Sequence, residues 1–198
     1  MKRTTVHEQQ YLLLTWEDAG KYMLDLARKI LEDKKEYDRI IALAKGGLTW
    51  SRALCDYLGL ENLSSIQITF YTGIGKTAKT PVITQSLPIS IKNERVLIFD
   101  DVADSGETLE LAKTYANMHG AKEVDVATLV TKTWTVHKPQ YFAIESGEWV
   151  IFPHEIRESI EILTSMWKER GDTPKAIVKQ LKHIGIQEEE IVLFSNLV

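Results

Sequence analysis

The sequence predicts an α/β fold, a mainly parallel central sheet flanked by helices, and three observations carry that reading. Short apolar runs alternate with amphipathic segments, the pattern of crossover helices covering both faces of a parallel sheet. The run Arg39 to Ala44 stops at Lys45-Gly46-Gly47 and passes directly into a helical pattern, a strand, glycine turn, helix unit. The run Val96 to Phe99 is apolar throughout, as a strand buried on both faces requires, and is followed by a polar loop and a second helical pattern.

The elements follow in order. Tyr22, Met23, Leu26, Ala27 and Ile30 recur at helical spacing behind Thr15 and Asp18, which predicts a helix over 16–33 with Thr15 as its cap. A buried strand over 39–44 precedes a helix over 48–58 that Gly59 closes. Residues 65–71 alternate as a strand, and 72–86, rich in Thr, Gly and Lys and carrying Pro81, read as a long functional loop. The strand 95–99 leads through Asp100-Asp101-Val102-Ala103-Asp104-Ser105-Gly106-Glu107-Thr108 into a helix over 109–118 that ends near Gly120. Further strands are expected at 124–130, 141–144 and 149–152, then helices at 155–169, 174–183 and 187–194, separated by Gly171-Asp172-Thr173-Pro174 and by Gly185.

Composition narrows the function classes. The 198 residues suit one domain or a domain with an appendage, and the 44% hydrophobic content suffices for a true core. With 24 basic against 28 acidic residues the net charge is −4, so no global basic field gathers nucleic acid or anionic lipid. The single cysteine, Cys55, excludes an internal disulfide framework and a cysteine metal cluster, which suits a reducing, cytoplasmic location. Met1-Lys2-Arg3-Thr4-Thr5 opens into polar residues, and no apolar run reaches the ~20 residues of a membrane span. The five histidines are scattered without a ligand spacing, leaving carboxylate-held Mg²⁺ as the metal to expect.

The segment 96–108 concentrates the chemistry. It delivers Asp100 and Asp101, then Asp104, then Ser105-Gly106-Glu107-Thr108, to the carboxyl edge of a sheet, where α/β folds bind ligands. Backbone N–H groups and hydroxyls of Ser105, Gly106 and Thr108, at the start of a helix, suit a phosphate. Asp100 and Asp101 suit paired sugar hydroxyls or hydrated Mg²⁺. A phosphorylated sugar satisfies both halves. Helix capping accounts for one or two of these residues, not for three aspartates and a Ser-Gly-x-Thr turn. In the turn 45–47, glycine amides and the Lys45 charge suit a second anion. Gly73-Ile74-Gly75-Lys76-Thr77 is not a nucleotide-binding P-loop, because Phe70 stands where its first glycine belongs and Pro81 interrupts the helix that should follow.

Val96-Leu97-Ile98-Phe99-Asp100-Asp101-Val102-Ala103-Asp104-Ser105-Gly106-Glu107-Thr108-Leu109 resembles the phosphoribosyl pyrophosphate (PRPP) signature of the type I phosphoribosyltransferases, and the flanking features keep that family's order over about residues 12–157. The resemblance implies a core with a small hood over 1–157; residues 158–198 lie outside it and read as a C-terminal helical extension. It implies that Asp100 and Asp101 meet the ribose hydroxyls, that Asp104 to Thr108 cradle the 5′-phosphate, and that Asp104 exchanges a proton with N7 of a purine. Glu107 should face solvent, since its charge would repel the phosphate. Lys45-Gly46-Gly47 would take pyrophosphate, with a cis peptide at Ala44–Lys45, and the 72–86 loop would be a lid, with Tyr71, Lys76 and Lys79 as contacts.

For the base, the resemblance is strongest to the 6-oxopurine (xanthine- or hypoxanthine-guanine) transferases. Lys132 matches the lysine that donates to O6, selecting a carbonyl over the amino group of adenine. In Glu148-Trp149-Val150-Ile151-Phe152-Pro153-His154-Glu155, Trp149 matches the aromatic that stacks on the base and Val150 the backbone contact. Glu155 stands where the family has an aspartate in the metal and pyrophosphate region. The implied partners are PRPP, a purine base and the nucleoside monophosphate, with Mg²⁺ as cofactor, a homo-oligomer (dimer by default), and neither nucleic acid nor membrane. The acidic run Glu188-Glu189-Glu190 argues for packing or oligomerisation over DNA binding by the tail helices. Two alternatives share the signature: a PRPP-sensing regulator without transferase activity, and a transferase for another base.

Overall fold

A computed structural model describes residues 1–72 and 79–195. The chain divides into two compact units, 21–147 and a second one made of 1–20 with 148–198.

The larger unit is built on a six-stranded sheet. Its strands are β3 (Arg39–Ala44), β4 (Leu63–Thr72), β5 (Lys79–Gln85), β6 (Arg95–Ala103), β7 (Glu123–Lys132) and β8 (Tyr141–Ser146), in the order β5-β4-β3-β6-β7-β8. All neighbours are parallel except β5, which pairs antiparallel with β4 at the edge. Helix α1 (Trp16–Glu32) enters this unit, and α2 (Gly46–Leu58) and α3 (Glu107–Met118) are its crossovers. Strand alternation places Ile41, Leu43, Ile98, Val124 and Val126 in a core shared with Leu109, Ala112 and Ala116 of α3. The residues between them, Ile40, Ala42, Leu97 and Phe99, turn to the opposite face and are equally buried. Two-sided burial is why these strands read as continuous apolar runs.

One edge strand of this sheet departs from the sequence reading. Residues 79–85, expected inside a loop, form β5. Pro81 argued against a strand, but it lies opposite Phe70 on an edge strand, where the missing N–H costs no ladder bond on the outer side. The Gly73 to Thr77 run and Lys76 lie outside the described residues, as do the side chains of Tyr71 and Lys79.

The smaller unit holds a second sheet. A hairpin of β1 (Lys2–Val6) and β2 (Gln9–Leu13) pairs in parallel with β9 (Trp149–Ile151) in the order β1-β2-β9. His7 and Glu8 make the turn with positive φ values of 49° and 69°, the conformation a two-residue hairpin turn needs. Helices α4 (Ile156–Glu169), α5 (Pro174–Ile184) and α6 (Glu188–Phe194) supply Ile160, Leu163, Trp167, Ile177, Leu181, Ile184 and Ile191 to one core with Val6, Tyr11 and Ile151. Thr173 accepts a hydrogen bond from the Ala176 N–H (3.3 Å) to start α5, Gly185 ends it at φ 119°, and Gln187 with Glu190 closes a capping box on α6. The tail is thus a packed part of this unit. Among the described residues, no helix is long and apolar enough to cross a membrane.

Candidate active site

Because β3, β6 and β7 are parallel, their carboxyl ends share one edge of the sheet. Lys45, the end of β6 with the turn that follows it, and Lys132 therefore come from three neighbouring strand ends within one unit; β6 runs on through Ala103, so Asp100 and Asp101, expected in the loop, lie on the strand itself. The Ala44–Lys45 peptide is cis. Lys45 is exposed ahead of α2 and its side chain makes no capping bond.

The two glycines are dictated by close approach. A Cβ on Gly46 would sit 2.4 Å from an oxygen of Asp101, and one on Gly47 would sit 2.5 Å from the Phe99 carbonyl oxygen. The turn is thereby pressed onto the end of β6, and the Gly47 N–H donates to the Asp100 carboxyl. The Asp101 N–H donates to Asp100 as well, at 3.0 Å. Burial, reinforced by the neighbouring Asp101 charge, raises the Asp100 carboxyl well above the usual carboxylate range despite these bonds. Two crowded oxygen donors of this kind suit a hard cation, which would relieve their repulsion.

Beyond them the loop bends back. Gly106 has φ 89°, and a Cβ there would meet the His137 carbonyl oxygen at 2.5 Å. The Ser105 hydroxyl accepts the Glu107 N–H at 3.3 Å, Thr108 is half-buried in the first turn of α3, and Glu107 is exposed as its charge demands. Asp104 is exposed at the loop crest.

The stretch 132–137, which sequence reasoning did not single out beyond Lys132, fastens this loop from the other side. The Val136 N–H donates to the Ser105 carbonyl at 3.0 Å. Thr135 accepts the Lys132 N–H (3.0 Å) and donates to the Asp104 carbonyl (2.6 Å). Lys132 is 8% exposed, and its ammonium lies 5.4 Å from the centroid of the Trp134 ring. The indole N–H of Trp134 donates to Asp104 Oδ1 at 2.7 Å. A tryptophan in a polar turn two residues after Lys132 was the available signal.

Trp149, Val150 and Glu155 belong to the smaller unit. Trp149 pairs with Tyr11 across the sheet, their ring centroids 6.3 Å apart, and it packs on the core that the tail helices build. Val150, one residue on, turns to the opposite face of β9. Glu155 is the N-terminal flanking residue of α4 and accepts the Ser159 N–H through its carbonyl at 2.9 Å.

A mainly parallel sheet with an Asp-Asp pair, a Ser-Gly turn entering a helix and a glycine turn at one edge offers the acceptors and backbone donors that suit a phosphorylated sugar. Residues 13–157 match the phosphoribosyl transferase domain model, and the chain belongs to that family. It is similar to the purine phosphoribosyltransferase of Pyrococcus horikoshii, at 38% identity and a TM-score of 0.66 over 72% of this chain and 93% of that one. It is also 28% identical over 150 residues to the xanthine-guanine phosphoribosyltransferase of Nitratidesulfovibrio vulgaris, covering 71% of this chain and 82% of the relative. The Helicobacter pylori xanthine-guanine-hypoxanthine phosphoribosyltransferase shares the fold, with a TM-score of 0.64 at 22% identity over 75% of this chain and 96% of that one.

Proposed function

We infer that this protein is a purine phosphoribosyltransferase that joins a 6-oxopurine base to PRPP, releasing pyrophosphate and the nucleoside 5′-monophosphate, as purine salvage requires. The observation that carries this reading is the meeting of Asp104 and Lys132 at the 132–135 turn, beside the end of β6 and the start of α3. A proton-exchanging carboxylate and an O6 donor serve adjacent edges of a 6-oxopurine, whereas adenine offers an amino group where Lys132 needs an acceptor.

In this reading Asp100 and Asp101 accept the ribose hydroxyls, and the 104–108 loop with the start of α3 takes the 5′-phosphate. Lys45, Gly46 and Gly47 receive the departing pyrophosphate. As the base nitrogen bonds to C1′ and the pyrophosphate oxygen leaves, the proton lost by the imidazole ring passes from N7 to the Asp104 carboxylate. The negative charge of Asp104 also favours the positive charge growing on the ribose. Asp100 and Asp101, and Glu155 by resemblance, would hold Mg²⁺, which would screen the phosphate charges when bound. Val150 presents the backbone contact to the base. Trp149 would stack on the base, as the resemblance implies.

The deciding experiment measures PRPP-dependent pyrophosphate release with hypoxanthine, guanine, xanthine, adenine, uracil and orotate. Release with 6-oxopurines well above adenine is expected. No release with any base, alongside retained PRPP binding, would overturn the enzyme reading in favour of a PRPP-sensing regulator.

A further inference from the structure

The bond between Trp134 and Asp104 is not explained by stability. Trp134 is 54% exposed, so its indole gains little from burial, and a hydrogen bond between two surface groups contributes little to folding. Yet the contact is short and charge-assisted, 2.7 Å from Nε1 to Oδ1, and spans 30 residues of sequence. Among the described residues, Trp134 is the one partner of the Asp104 carboxylate. The turn that carries Trp134 is itself fixed: the Thr135 N–H closes on the Lys132 carbonyl at 3.1 Å, and the Thr135 hydroxyl ties both Lys132 and Asp104 through their backbones. The same indole faces the Lys132 ammonium at 5.4 Å.

We propose that Trp134 is a positioning residue for the transfer reaction, its N–H fixing one oxygen of Asp104 so that the other meets N7, and its ring supporting Lys132 for O6. One side chain thus sets the spacing of the two groups that address the purine edge. The inference rests on the roles given above to Asp104 and Lys132. A carboxylate on an exposed loop samples several rotamers, and a proton transfer proceeds only from the one that places its oxygen within hydrogen-bond reach. Removing the indole N–H leaves Asp104 present but unheld. Removing the ring as well frees the lysine.

Trp134→Phe deletes the N–H and keeps a ring; Trp134→Leu deletes both. Steady-state kinetics of each, in the wild-type and Asp104→Asn backgrounds, provide the test. Trp134→Phe should lower kcat about tenfold with the KM for PRPP changed by less than about twofold, and should have no further effect once Asp104 is Asn. Trp134→Leu should in addition raise the KM for the base severalfold and narrow the preference over adenine. Unchanged kcat in Trp134→Phe, or the same loss in both backgrounds, overturns the inference, since additivity marks a merely structural role. If Trp134→Leu does not fold, Trp134→Phe alone decides. A wild type with no turnover on any base overturns the functional reading and this inference together; an active wild type matched by Trp134→Phe overturns the inference alone.

Discussion

Gly47 has no space for a methyl group. The obstacles are the Phe99 carbonyl oxygen at 2.5 Å and the Asp100 Cα at 3.1 Å, both backbone atoms that cannot rotate away. Gly47→Ala must push the start of α2 off β6, at a cost of about 1–3 kcal/mol by overpacking. Because that displacement also moves the turn proposed for pyrophosphate, the KM for PRPP should rise. A thermal melt with PRPP kinetics checks this, and an alanine variant with wild-type values for both would mean that the turn is not held by this contact. Gly106 differs in kind: its φ of 89° disfavours any side chain, quite apart from the His137 carbonyl behind it. Both glycines stood out in the sequence as turn residues. Which backbone each one faces did not, because the neighbours lie on other strands.

At the scale of elements, Asp125 on β7 is 4% exposed and collects three donors, Lys35 Nζ (2.7 Å), the Tyr37 hydroxyl (2.7 Å) and Gln140 Nε2 (2.8 Å). It joins the segment before β3 to the segment before β8 beneath the sheet's amino ends. Hydrogen bonds to Asp125 and Glu123 hold the Lys35 ammonium above its ordinary value of 10.5, and burial, then bonds to Tyr141 and Asp125, raise Tyr37 above 10.0. Both pKa values are higher folded than unfolded, so their contribution is complete below pH about 10 and is lost as pH climbs above it. Stability measured by denaturant titration should therefore decline on the alkaline side. Asp125→Asn should cost about 2–4 kcal/mol near neutrality, since it leaves buried donors poorly paired, and should make the alkaline decline shallower. A variant as stable as the wild type, with the same alkaline slope, would show the cluster to be incidental.

On the scale of the whole molecule, the family match stops at residue 157, inside the smaller unit. Helix α4, in whose first turn the match ends, and the two helices after it are not an appendage to that unit. Ile160, Leu163, Trp167, Ile177, Leu181, Ile184 and Ile191 are all fully buried, and they cover Tyr11 and Ile151 of the small sheet. Each such side chain returns about 1.5–3 kcal/mol on burial. Deleting 158–198 should consequently lower the melting temperature and produce aggregation visible by light scattering; a truncated chain that melts as the full one does would contradict this core. The hairpin that completes the unit escaped the sequence reading, because His7-Glu8 is not one of the Asn-Gly or Asp-Gly pairs that announce such turns.

Most element positions and the PRPP-type loop follow from short-range properties of this chain: a period of 2 or 3.6, a cap, a glycine, nine residues in a row. These are written within one or two turns of sequence, so they can be read there. The spatial order of the strands, the edge position that admits Pro81, the seating of Gly47 on Phe99 and the bond from Trp134 to Asp104 were decided only in the folded molecule. They depend on which segments meet across tens of residues, and that choice is made by burial of the whole core rather than by any local pattern.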